Sequence, residues 1–113
     1  MELTYAHRLV TYGTLAPGQV NHGQLADLVG DWSVGTVRGN LMDEGWGAAL
    51  GCPGIVLDTS GGTVDVHVFE SADLADFWPK LDAFEGEGYQ RVVVQVETAD
   101  GTIDAQIYEL AVE

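Results

Sequence analysis

The chain has 113 residues, 46% hydrophobic and 19% charged, a composition expected of one folded domain over 1–113 and too apolar for a disordered protein. Eighteen Asp and Glu stand against four basic residues (Arg8, Arg38, Lys80, Arg91), and a formal net charge of −14 excludes a surface built for phosphate backbones or anionic membranes. Cys52 is the single cysteine, which excludes an internal disulfide; the start of the chain lacks signal-peptide order and no apolar run is long enough to span a bilayer, so a cytoplasmic protein is expected.

Arg8 to Tyr12 reads as a first strand, interrupted by Gly13 and then by Pro17-Gly18. Asn21 and Gln24 have capping-box spacing, Val20 and Leu25 are placed as a hydrophobic staple, and Leu25, Leu28 and Val29 form an apolar face ahead of Gly30, which predicts a short amphipathic helix. Trp32, Val34 and Thr36 share one parity, and Val37 to Met42 reads as a further strand in which Gly39 marks a bulge or a close backbone approach.

Residues 43 to 54 carry too many glycines, with Pro53, for a regular element and are read as a loop before the short strand Ile55-Val56-Leu57. After the turn Ser60-Gly61-Gly62, Val64, Val66 and Val68 alternate with Asp65, His67 and Phe69, which predicts a strand with one wet face. Leu74, Phe77, Trp78 and Leu81 form a helical stripe broken by Pro79, so two short helical pieces are expected. From Tyr89, the alternation of Val92, Val94 and Val96, the turn signal Asp100-Gly101 and the run Thr102 to Leu110 predict a hairpin. The fold class is α+β: a largely antiparallel sheet, open or rolled into a barrel, with two or three short helices.

Several kinds of site lack support. His7, His22 and His67 have no zinc-motif spacing, and one cysteine makes no thiolate cluster, so no metal is expected. Lys80 follows no phosphate loop and Gly86-Glu87-Gly88 lacks the third glycine of a dinucleotide fingerprint, so no cofactor is expected. Ser33, Ser60 and Ser71 sit outside any nucleophile elbow, and Cys52 precedes Pro53 with no base nearby in sequence. Two segments remain. Tyr12-Gly13-Thr14-Leu15 is a glycine loop able to offer backbone N–H groups to an oxyanion, and Leu81 to Gly86 carries the isolated carboxylate Glu85.

Tyr12 to Gly18, followed by Asn21-His22, resembles the signature of the gamma-glutamylcyclotransferase-like (AIG2-like) superfamily. Val37 to Leu41, Cys52-Pro53-Gly54, Leu81 to Gly86 and Tyr89 to Val92 match further segments of that pattern, and the resemblance covers essentially the whole chain. It implies a small mixed β-barrel in which the glycine loop and Glu85 converge on one cavity. It also implies release of 5-oxoproline from a gamma-glutamyl amine, dipeptide or isopeptide by attack of the substrate's own α-amine on its γ-carbonyl. By the family pattern Glu85 is the general acid/base, the backbone of Tyr12, Gly13, Thr14 and Leu15 holds the substrate, and Glu87 is a surface residue.

Plain readings stand beside these. Gly13 also suits a turn that requires positive φ; Tyr89 and Tyr108 either line the pocket or hydrogen-bond Glu85, or are packing groups; Arg91 either pairs with a substrate carboxylate or points outward as a surface charge. Cys52 stands where relatives often have an aromatic residue, and the strand around His67 lacks the glycine common in the family. Two other functions stay open: a module that binds a small gamma-glutamyl ligand without turnover, and an enzyme removing a gamma-glutamyl group in a biosynthetic pathway. The expected partner is a small-molecule gamma-glutamyl substrate, with no nucleic acid and no membrane; the oligomeric state stays open.

Overall fold

Strand β2, Asp31–Met42, is the longest element of the chain and organises the rest. The structure, a computed structural model, describes residues 4–12, 22–42 and 54–110. Besides β2 it contains β1 (Arg8–Thr11), β3 (Gly54–Leu57), β4 (Gly62–Glu70), helix α1 (Trp78–Glu85), β5 (Tyr89–Thr98) and β6 (Gly101–Leu110). Short 3₁₀ turns lie at Tyr5–His7, His22–Leu25 and Ala72–Asp76.

The strand order is β3-β2-β4-β1-β6-β5, and a contact between β2 and β5 closes five of the six into a barrel, leaving β3 as an appended strand on β2. Among the described residues, only β1 and β6 pair in parallel, Leu9 against Gln106 and Val10 against Ile107. The mixed, largely antiparallel barrel of the α+β class is therefore as expected.

Glycine decides where the barrel closes. Thr36 of β2 pairs with Glu97 of β5, and a Cβ at the adjacent Gly35 would lie 2.6 Å from Val96 Cγ1 and 2.8 Å from the Glu97 carbonyl oxygen. No other residue lets the two strands come so near. Of the two uses expected of Gly39, the close approach is the one found. The register runs without a bulge from Asp31 opposite Glu70 to Gly39 opposite Gly62, and a Cβ at Gly39 would sit 2.7 Å from the Val56 carbonyl oxygen.

Two apolar layers hold this frame. The barrel interior is filled by Val10, Val37, Ile55, Val68, Val96 and Ile107, with Tyr12 packed at its edge. A second core on the outer face joins Leu9, Phe69, Leu74, Trp78, Leu81 and Tyr108. Each fully buried aliphatic side chain contributes about 1.5–3 kcal/mol.

Local chemistry explains most elements. Ser71 caps the 3₁₀ turn by accepting the Asp73 amide at 3.1 Å, and Pro79 lies in the first turn of α1, whose N–H groups need no partner in the helix. This gives the two helical pieces read from the sequence. Gly86, at φ 78° and ψ −172°, takes a positive-φ conformation that glycine adopts without strain and that ends α1, and its amide returns to the Asp82 carbonyl at 3.0 Å. The hairpin β5–β6 pairs without interruption from Tyr89 opposite Leu110 to Thr98 opposite Gly101.

Three expectations are corrected. The predicted helix before Gly30 is, in its described part, only the 3₁₀ turn His22–Leu25. Gly23 and the short span disfavour helix propagation. Val29 does not join its apolar face, being 82% exposed, because its backbone is pinned by Ser71 Oγ donating to its carbonyl at 2.6 Å and by its amide donating to Asp73 at 3.0 Å. The two strands read on either side of residue 36 are one strand. The wet face of β4 is lost in its second half, where Phe69 is buried in the outer core and lies 4.8 Å from the Trp32 ring.

Candidate functional site

Among the described residues, β3 has a strand on one edge only, since it pairs there with β2 alone. On its other edge, side chains take the place of a ladder. The Ile55 amide donates to the Tyr12 hydroxyl at 3.2 Å and the Leu57 amide donates to Glu109 Oε2 at 3.1 Å. Tyr12 in turn donates to the Tyr108 carbonyl at 2.6 Å, and Gln90 Nε2 donates to Glu109 Oε1 at 3.0 Å. Gln90 and Glu109 are opposite one another and share the inward parity of Val92 and Ile107. The barrel end beside Tyr12 is thus polar, in contrast to the aliphatic interior.

Glu85 is the last residue of α1 and is 9% exposed. Upstream, Trp78 and Leu81 anchor the helix in the outer core, and Trp78 Nε1 donates to the Ala6 carbonyl at 2.9 Å. Burial pushes the Glu85 carboxyl up to about 7. The negative end of the helix acts in the same direction. At neutral pH such a group is divided between acid and base forms.

The phenols nearby respond to it. Burial raises the Tyr12 hydroxyl above its ordinary value, and the charges of Tyr89, Glu85 and Glu109 add to the effect while the Ile55 amide opposes it. Tyr108 is raised by burial first and then by Asp82, with Arg91 opposing and Glu85 adding a smaller push. Glu85 is therefore within electrostatic reach of both Tyr12 and Tyr108, and Tyr89 within reach of Tyr12. Neither Tyr12 nor Tyr108 ionises near neutrality.

The Arg91 guanidinium is paired within the protein. Its Nε lies 3.0 Å from Asp82 Oδ1, Nη2 donates to Asp82 Oδ2 at 3.2 Å, and Nη1 donates to Gln106 Oε1 at 3.2 Å. The guanidinium also covers the Trp78 ring at 4.7 Å. Tyr108 donates its hydroxyl to Asp82 Oδ1 at 2.7 Å. Asp82, Arg91, Gln106 and Tyr108, with Ala83, Gly86, Glu87 and Tyr89, line an open groove of about 660 Å³. Glu87 is exposed on its rim, as a surface residue should be.

Gly13, Thr14 and Leu15 lie outside the described residues, as do Asn21, Trp46, Cys52 and Pro53. Sequence reasoning did not single out Asp82, Gln106 or Glu109. Glu109 carried a usable signal: it is a carboxylate at an inward position of a strand whose neighbours of the same parity, Ala105 and Ile107, are apolar. Among the described residues, no cluster of His, Cys, Asp and Glu is arranged to hold a metal ion, and no helix is long and apolar enough to cross a membrane.

A family model described as gamma-glutamyl cyclotransferase, AIG2-like, matches residues 9–113. Among solved structures, YkqA from Bacillus subtilis is 31% identical with a TM-score of 0.71; the match covers 92% of this chain and only 35% of that one, so the chain spans about a third of that protein. An AIG2-like protein from Mus musculus is 24% identical with a TM-score of 0.74, over 93% of this chain and 77% of that one. A structure described as a gamma-glutamyl cyclotransferase shares the fold at 18% identity and a TM-score of 0.63, over 93% of this chain and 66% of the other. Comparison with curated proteins gives no match.

Proposed function

The chain belongs to the gamma-glutamyl cyclotransferase, AIG2-like family, and from that membership we propose that it releases 5-oxoproline from a gamma-glutamyl amine, dipeptide or isopeptide, with Glu85 as general acid and base. The observation that carries the proposal is the Glu85 carboxyl, buried at the end of α1 and raised to about 7.

The reaction needs proton management more than a nucleophile. The substrate's α-ammonium must lose a proton before its nitrogen can attack. A carboxylate raised from its ordinary range towards neutrality lies nearer to that amine and accepts the proton with less loss of driving force. The amine nitrogen then bonds to the γ-carbonyl carbon, the carbonyl oxygen takes the electron pair, and collapse of the tetrahedral centre breaks the bond to the leaving nitrogen. Protonated Glu85 returns that proton to the leaving nitrogen and, ionised again, takes a second proton from the ring nitrogen and passes it to the departing amine, which leaves the lactam N–H, a protonated amine and Glu85 as carboxylate. Backbone N–H groups of Tyr12, Gly13, Thr14 and Leu15 hold the substrate and its oxyanion. Because attack is intramolecular, proximity that can amount to about 7–11 kcal/mol is already built into the substrate, and the protein has only to hold it in a near-attack shape.

No cofactor or metal takes part in this scheme. A cytoplasmic location fits it, as the lone Cys52 and the acidic surface suit a reducing, well-solvated compartment. The test is 5-oxoproline release from a panel of gamma-glutamyl dipeptides, gamma-glutamyl-lysine and glutathione, by wild type and by Glu85→Gln. Release by wild type and its loss in a folded Glu85→Gln protein support the proposal. Binding of a gamma-glutamyl compound with no release by wild type overturns it in favour of a non-catalytic module.

A further inference from the structure

We propose that Tyr108 is a positioning residue: through Asp82 it braces the last turn of α1 and so holds Glu85 against the barrel end where Tyr12 sits. Its catalytic consequence rests on the role proposed above for Glu85; the brace itself does not.

Helix α1 has eight residues, too few to be stable alone. Its buried apolar anchors, Trp78 and Leu81, are in the first half, whereas at the far end, where a helix frays, the partly buried Phe84 is what packs against that core beside Glu85. Asp82 lies between them, three residues before Glu85. Its Oδ1 accepts the Tyr108 hydroxyl at 2.7 Å and faces Arg91 Nε at 3.0 Å, and its Oδ2 accepts Arg91 Nη2 at 3.2 Å. The Asp82 carbonyl also receives the Gly86 amide that closes the helix, at 3.0 Å. Asp82 therefore secures the terminal turn from its side chain and from its backbone at once.

At its other side Tyr108 is tied to the end of β1. Its carbonyl accepts the Tyr12 hydroxyl at 2.6 Å. One residue of β6, 4% exposed, thus connects the helix that carries Glu85 to the residue that opens the glycine loop. The phenolic proton is committed to Asp82, and burial with the Asp82 charge keeps the hydroxyl from ionising near neutrality. It has no proton to exchange with a substrate. Arg91, stacked on Trp78 and shared with Gln106, holds Asp82 in the orientation that receives the phenol.

Tyr108→Phe and Asp82→Asn test the brace. Tyr108→Phe removes the hydroxyl without changing any formal charge, so a shift in Glu85 titration, read by carbon NMR of the labelled carboxyl, reports altered hydration alone. The expected result is a midpoint at least half a unit lower, at least fivefold faster hydrogen exchange at the Gly86 amide, and, with turnover, a kcat about tenfold lower at a KM within twofold of wild type. Asp82→Asn is expected to speed Gly86 exchange likewise, and it carries the exchange test if Tyr108→Phe fails to fold. Gly86 exchange at the wild-type rate in the folded variants overturns the brace. A raised KM with unchanged kcat in Tyr108→Phe overturns it in favour of a direct substrate contact. If wild type releases no 5-oxoproline, the role of Glu85 fails, while exchange and titration still decide the brace.

Discussion

The Tyr12 hydroxyl donates to the Tyr108 carbonyl at 2.6 Å while accepting the Ile55 amide at 3.2 Å, so a single phenol joins the ends of β1, β6 and β3. Both backbone groups are part-buried, and neither has a strand partner through this contact. Replacing Tyr12 with Phe leaves a donor and an acceptor unsatisfied. The expected cost is about 1–3 kcal/mol, measured as a lower urea midpoint at unchanged slope.

Glu85 makes stability fall as pH rises. Its value is about 7 in the folded protein against 4.5 in the open chain, so between those values the folded state binds more protons than the unfolded one and the slope of unfolding free energy with pH is negative. The full stability is present below about pH 4.5 and is lost as pH rises through 7, a contribution of about 3 kcal/mol. Other groups add their own slopes, so the check is a difference. Glu85→Gln is expected to gain on wild type in Tm between pH 5 and pH 8, and a constant difference across that range would refute the buried carboxylate.

The same value predicts the acid limb of catalysis. Glu85 must be ionised to take the α-ammonium proton, so kcat/KM is expected to rise with pH and to bend near 7. A limb bending near 4.5 would mean that Glu85 is solvated or is not the base.

Gly35→Ala addresses closure of the barrel. The added methyl would sit 2.6 Å from Val96 Cγ1 and 2.8 Å from the Glu97 carbonyl oxygen, closer than either can tolerate. Destabilisation of about 1–3 kcal/mol is expected, with loss of the Thr36–Glu97 contact visible as faster amide exchange at the start of the β5–β6 turn.

Trp78→Phe separates two jobs of one side chain. An aromatic ring remains to face the Arg91 guanidinium, while the bond from Nε1 to the Ala6 carbonyl and part of a buried indole are lost. A cost of about 1–3 kcal/mol in urea unfolding is expected, with Glu85 titration unchanged.

Reading the chain residue by residue recovered the elements whose causes are local. Val92, Val94 and Val96 alternate, and β5 follows; Pro79 interrupts a helical stripe, and the helix divides there. Glu85 was found because a family pattern marks it, and the structure adds the burial that raises its carboxyl. Where one local signal had two meanings, reading failed. Leu25, Leu28 and Val29 have helical spacing, yet the backbone of Val29 is held by Ser71 and Asp73, more than forty residues away.

The sequence by itself determined the class of fold, most strand and helix positions and the family, because periodicity, turn chemistry and a linear motif are properties of neighbours along the chain. Tertiary structure alone decided that β1 lies parallel to β6, that Gly35 marks the closure of the barrel, and that Asp82, Arg91 and Tyr108 form one network beside Glu85. Alternation records which face a residue occupies, not which strand lies beside it, and a hydrogen bond between positions 82 and 108 leaves no period in the sequence.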